Sequence, residues 1–148
     1  STLGAANIDV GNANGLPGNL IQLTGNNSIN AAVATIGMNF NLAANNNVNV
    51  FNNTIVINDD GGQGMVFQSL FGPSNVVVSG NNITVNGLFG FFVEYGIRFQ
   101  TITGLINLSG PANNNVTINN GGGTFFFFQA LNPAQINGQI SVNGVAVP

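Results

Sequence analysis

The chain repeats itself. Asn75–Asn86 reads N-V-V-V-S-G-N-N-I-T-V-N, and relatives of this stretch stand on both sides of it. They are L-I-Q-L-T-G-N-N-S-I-N at Leu20–Asn30, V-N-V-F-N-N-T-I-V-I-N at Val48–Asn58, I-N-L-S-G with N-N-V-T-I-N at Ile106–Gly110 and Asn114–Asn119, and I-N-G-Q-I-S-V-N at Ile136–Asn143. The Asn closing each copy falls at Asn30, Asn58, Asn86, Asn119 and Asn143, in steps of 28, 28, 33 and 24 residues. A unit this short cannot bury a hydrophobic face by itself, so it must stack on its neighbours; periods of about 20–50 residues mark such arrays.

The local pattern says what is stacked. Apolar and polar residues alternate in Val48-Asn49-Val50, Ile83-Thr84-Val85, Val116-Thr117-Ile118 and Ile140-Ser141-Val142, the period of a strand with one face turned inward. Asn, Gly and β-branched residues are spread throughout and disfavour helix. Each copy holds three such runs: a V-x-V piece (Val76–Val78), an I-x-V piece after the Asn pair (Ile83–Val85), and an aromatic run. The aromatic run reads Met65–Phe67, Phe89–Phe99 and Thr124–Phe128, with Val33–Phe40 in its place in the earliest copy. The expectation is an all-β parallel β-helix, a solenoid of about five coils of about 28 residues, stacked at the ~4.7–4.9 Å strand spacing. Residues 1–18, punctuated by Asn14-Gly15 and Pro17-Gly18, read as a flexible N-terminal arm or a weak first coil, and 19–148 as a single β domain.

Stacking would put like residues above one another, which gives the 29 Asn a task. Asn tolerates left-handed backbone at corners, and its amide both donates and accepts, so stacked copies can bond along the stack. The second members of the Asn pairs, Asn27, Asn53, Asn82 and Asn115, are expected to form one ladder. Asn30, Asn58, Asn86, Asn119 and Asn143 are expected to form another.

Charge is almost absent. Among 148 residues only Asp9, Asp59, Asp60, Glu94 and Arg98 are ionised, for a net charge of −3. One Arg and no Lys leave no basic surface to follow phosphates, so no nucleic acid is expected as a partner, and binding to an anionic bilayer is disfavoured on the same ground. The 44% hydrophobic content, with 12 Phe, still argues for a packed core rather than disorder. The longest apolar cluster, Phe125–Phe128, is far short of the ~18 residues of a membrane span. Without Cys, His or Lys the chain lacks the usual activated nucleophiles and bases, and soft metal ligands as well. Asp59-Asp60 before Gly61-Gly62 could offer carboxylates to calcium, but a polar turn is the simpler reading. Glu94 and Arg98 read as a partner pair or a rim contact. We therefore assign no catalytic residue, cofactor or metal, and expect no enzyme. Sequons make Asn26, Asn52, Asn82, Asn107 and Asn115 candidate glycosylation sites.

S-N-V-V-V-S-G-N-N-I-T-V-N (Ser74–Asn86) and N-N-T-I-V-I-N-D-D-G-G-Q-G-M-V-F (Asn52–Phe67) resemble the coils of right-handed parallel β-helix proteins. That superfamily includes pectate-lyase-like enzymes, periplasmic copper-site maturation proteins and the passenger domains of autotransporter adhesins. The resemblance covers roughly Leu20–Asn143, with coils longer than is usual there. The alternative is a jelly-roll or β-sandwich fibre subunit, suggested by Gly90–Ile97 and by the ending V-N-G-V-A-V-P.

Two functions follow. The first is a structural subunit of a secreted, self-assembling extracellular filament or a surface adhesin, with itself as head-to-tail partner and host or surface glycans as a second kind of partner. The second is a carbohydrate-binding or polysaccharide-cleaving β-helix, disfavoured by one Tyr and no Trp. Near-absence of Lys and Glu, and an opening Ser1-Thr2-Leu3-Gly4 like the start of a mature exported chain, lead us to expect an extracellular or cell-surface location. No capping helix is foreseen, and Val145–Pro148 follows a strand directly, so an open sheet edge is expected to invite another copy.

Overall fold

In the computed structural model the described residues are 7–12, 14, 16–24, 35–42, 46–69, 74–87, 93–100, 104–108, 113–119, 126–129 and 136–147. They form fifteen β-strands and no helix. The strands are β1 (Asn7–Gly11), β2 (Leu20–Thr24), β3 (Ile36–Leu42), β4 (Asn47–Phe51), β5 (Thr54–Asn58), β6 (Gln63–Ser69), β7 (Asn75–Ser79), β8 (Asn82–Asn86), β9 (Tyr95–Gln100), β10 (Ile106–Asn107), β11 (Asn115–Asn119), β12 (Phe126–Gln129), β13 (Ile136–Asn137), β14 (Ile140–Val142) and β15 (Val145–Val147).

They fall into three sheets that the chain visits in rotation. The first sheet runs β1-β4-β7-β10-β13, the second β2-β5-β8-β11-β14-β15, the third β3-β6-β9-β12. Every pairing among them is parallel except β14 with β15. This is an all-β architecture of largely parallel sheets, compatible with a β-helix-like course. It does not match the jelly-roll alternative, whose strands pair antiparallel. The segment 1–18 contributes a rung of the first sheet, since β1 pairs with β4 from Asn7↔Asn47 to Gly11↔Phe51.

Parallel register turns the sequence repeat into columns. In the second sheet Ile21, Ile55, Ile83 and Val116 lie over one another, and so do Leu23, Ile57, Val85 and Ile118. Val48, Val76 and Ile106 form the matching column of the first sheet. In the third sheet Met38, Met65 and Ile97 stack beside Phe40, Phe67 and Phe99. The Phe rings lie face to face at centroid distances of 4.7 and 5.1 Å, tilted by 3° and 14°. These inward columns are one continuous core, and most of its members are fully buried. At roughly 1.5–3 kcal/mol for each such side chain, it is the main stabilising term of the fold.

One backbone feature turns the chain between sheets, and another lets the sheets pack closely. Between the first and second sheets the backbone turns through a left-handed residue, Asn52 (φ 56) in one round and Gly80 (φ 69) in the next. Within β6 of the third sheet, Gly64 makes room for its neighbours. A Cβ there would lie 2.4 Å from Cγ2 of Ile83 and 2.5 Å from the carbonyl oxygen of Gly96.

The aromatic strands begin or end a few residues from where the sequence placed them, at β3, β6, β9 and β12. The expectation of an uncovered strand at Val145–Pro148 is corrected. Asn143 (φ 47) and Gly144 (φ 83) form a two-residue turn that folds β15 back on β14. Two successive residues with positive φ suit the right-handed twist of a hairpin, so Asn-Gly at this point reverses the chain rather than continuing the stack. The side chains of the aromatic stretch Phe125–Phe128 lie outside the described residues.

Candidate functional site

The polar organisation of the molecule is a set of amide ladders, and the deepest of them runs inside the corner between the first and second sheets. Its members are Asn19, Asn53, Asn81 and Asn114, each immediately before a strand of the second sheet. Oδ1 of Asn53 accepts from the backbone N–H (3.0 Å) and Nδ2 (2.9 Å) of Asn19. Oδ1 of Asn81 accepts the same pair from Asn53 at 2.9 and 3.0 Å, and Oδ1 of Asn114 accepts from Asn81 at 3.1 and 2.9 Å. The remaining Nδ2 hydrogens go to carbonyls of the first sheet: Asn53 to Val10, Asn81 to Val50 and Asn114 to Val78. Asn53, Asn81 and Asn114 are buried, so the corner keeps its backbone groups bonded where water does not reach.

This corrects the first expected ladder by one residue. Asn82 and Asn115 do stack, but on each other and on Thr54, and they face outward and exposed. Register is set by the inward Ile55, Ile83 and Val116, and the place aligned with Asn53 is the residue before the strand, whatever its place within an Asn pair. Below Asn53 that place belongs to Asn19; Asn27 is outside the described residues.

The second ladder joins three of its expected members. Nδ2 of Asn86 donates to Oδ1 of Asn58, and Nδ2 of Asn119 to Oδ1 of Asn86, both at 2.7 Å. Thr24, not Asn30, lies against Asn58, and Asn30 is not among the described residues. Asn143 is displaced: β14 pairs with β11 as Asn115↔Ser141 and Val116↔Val142, so Asn143 falls short of Asn119. Its amide instead brackets the backbone of Ile118, accepting from the N–H at 2.9 Å and donating to the carbonyl at 3.2 Å. The short last step of the repeat accounts for the slip. A third ladder, absent from the sequence reading, links Asn7, Asn47 and Asn75 on the outside of the first sheet, and Leu105 N–H closes it on Oδ1 of Asn75. Its sequence signal was the Asn that opens β1, β4 and β7 alike.

Charged residues are scattered. Asp59 is buried in the turn after β5, where Oδ2 accepts from the Thr35 hydroxyl at 2.5 Å, so this carboxylate is engaged by the fold. Among the described residues no group of three or more His, Cys, Asp or Glu gathers to hold a metal, and no helix is long and apolar enough to cross a membrane. Glu94 is fully buried just before β9, whereas Arg98 lies half-buried within that strand. Arg98 sits 4.8 Å above the Tyr95 ring, donates to Oε1 of Gln63 at 3.3 Å, and meets the Gln100 amide oxygen from Nη2 (2.6 Å) and Nε (3.1 Å) once that amide is oriented to accept. This is the only cluster of described residues that sets a cation, an aromatic ring and planar amides together. Of the candidate glycosylation sites, Asn82 and Asn115 are exposed and Asn107 half-buried, while Asn52 donates to the carbonyl of Asn12 at 2.5 Å; Asn26 is outside the described residues. A search against protein-family models, curated proteins and solved structures finds no match to this chain.

Proposed function

We propose that the chain is a parallel β-solenoid of about five coils of about 28 residues. In this reading it serves as the structural subunit of a secreted, self-assembling extracellular filament or as a rod of a surface adhesin. The observation that carries the reading is the amide ladder Asn19–Asn53–Asn81–Asn114, buried from Asn53 onward, continuous across four rounds and bonded to the backbone of the neighbouring sheet. Such a column supplies axial stiffness without charge, so its strength does not depend on pH near neutrality. Ten of the 29 Asn, namely Asn7, Asn19, Asn47, Asn53, Asn58, Asn75, Asn81, Asn86, Asn114 and Asn119, bond side chain to side chain along columns of this kind. Near-neutral outer faces favour association of copies with little repulsion. The decisive experiment is sedimentation with negative-stain microscopy of the purified chain at rising concentration. Filaments support the proposal; a protein that stays monomeric at high concentration across a broad salt range overturns it.

A second reading, binding of a carbohydrate, draws on the Tyr95–Arg98–Gln63–Gln100 cluster. Glycan-array binding lost in Arg98→Ala would favour it, and cleavage of a uronic-acid polymer would turn it into an enzymatic one.

A further inference from the structure

The edge of β14 is the place where a continuing stack would add its next parallel strand, and β15 occupies it in the opposite direction. The pairing is short, Ile140↔Val147, Ser141↔Ala146 and Val142↔Val145. Residues 143–146 are exposed, Val145 to 64%, so little apolar surface is lost when β15 leaves. Segments held by few buried contacts open at low free energy. At the other extreme of the same sheet, β2 is the terminal strand among the described residues. Its inward Ile21 and Leu23 are only half covered, whereas Ile55, Ile57, Ile83 and Val85 in the same columns are completely buried. Ile8, Val10 and Phe40 on the neighbouring sheets are likewise only partly buried against the core. The β2 and β14 edges match: both turn alternate apolar residues inward, and no residue in 20–24 or 140–147 is charged.

We propose that β15 is an exchangeable edge cap: when it peels away, β14 takes up in parallel the β2 edge of a second copy of this chain. The inference rests on the self-assembling reading above and adds a gate to it. A hairpin closed by Asn143-Gly144 holds the growing edge in the subunit and yields it to the incoming one. Because β15 runs antiparallel, it satisfies the backbone of β14 without presenting the parallel register that β2 needs, so the capped subunit is stored rather than joined.

The test locks and unlocks the hairpin in the full chain. Ser141 and Ala146 are directly opposed one pair beyond the turn-closing pair, a non-hydrogen-bonded site where side chains lie closest. The double variant Ser141→Cys with Ala146→Cys can therefore be bridged, and the native sequence has no Cys to interfere. Assembly is followed by light scattering and negative stain for the native chain, for the variant oxidised and reduced, for a chain lacking residues 145–148, and for Gly144→Ala, which strains the turn at φ 83 without shortening the chain. Oxidation is expected to slow assembly by about tenfold or more, equivalent to ~1.4 kcal/mol on the open state. Reductant should restore the native rate, and both the deletion and Gly144→Ala should accelerate it, with unchanged β-type circular dichroism of the unassembled protein. An oxidised variant that assembles as fast as the native chain overturns the cap while leaving the filament reading intact. Failure of every form to assemble, the uncapped ones included, overturns both.

Discussion

At the scale of the residue, the stack distinguishes neighbours that are chemically identical. Asn81 and Asn82 are adjacent amides, yet Asn81 is completely buried while Asn82 is exposed on the outer face of β8. Replacing Asn81 by Leu removes the acceptor of two hydrogen bonds from Asn53 and the donor to Val50 and Asn114, and leaves those groups in a corner closed to water. At ~1–3 kcal/mol for each buried group left unbonded, Asn81→Leu should cost several kcal/mol, and Asn82→Leu close to nothing. Urea denaturation of the two variants reads the difference as a shift of midpoint at constant slope. Equal midpoints would mean that the corner does not depend on the ladder. Asn86→Leu belongs between them, because its ladder with Asn58 and Asn119 is part-buried or exposed and water can substitute.

At the scale of the element, the third sheet is held by shape. Phe67 is completely buried between Phe40 and Phe99, and Phe67→Ala should cost about 3–5 kcal/mol because a cavity opens between rings that rigid strands hold apart. Gly64→Ala is the opposite error, an overfilled corner. The new methyl would strike the Ile83 side chain and the Gly96 carbonyl together, and ~1–3 kcal/mol of destabilisation is expected. A double-mutant cycle with Ile83→Ala separates the two contacts: the side-chain clash is relieved and the backbone clash is not, so partial rescue is the predicted result. Full rescue would show that the Gly96 backbone yields. The sequence announced the Phe column, since aromatic runs recur in step with the repeat. It did not announce the glycine, because the requirement comes from Ile83, nineteen positions away on another sheet.

At the scale of the whole molecule, the outer faces carry amide ladders and hydroxyls with few ions. The proposed association of copies should therefore respond weakly to added salt between low and physiological ionic strength, because few charges are there to be screened. Turbidity growth across a salt series checks this, and a steep dependence would point to Asp9, Asp60 or Arg98 as drivers. Removing residues 1–18 takes away β1 and bares the edge of β4, which pairs with it over five residues. If the first rung is the connector between subunits, the truncated chain should form shorter filaments or none, measured as length distributions in negative stain.

The sequence by itself determined what is periodic. A 28-residue recurrence, period-2 alternation and the shortage of helix formers pointed to stacked strands, because these depend only on which residues can share a face, while the parallel pairing that separates a solenoid from a sandwich came from the structure. Tertiary structure decided what the period could not express. Asn81 and Asn82 have equal claims in the sequence, and only the register set by Ile55, Ile83 and Val116 put the first inside the corner and the second outside. In the same way V-N-G-V reads equally as the end of a strand or as a hairpin. The positive φ of both Asn143 and Gly144 resolves it as a hairpin, since β14 offers a free edge to pair with and the chain can gain those backbone hydrogen bonds only by turning back.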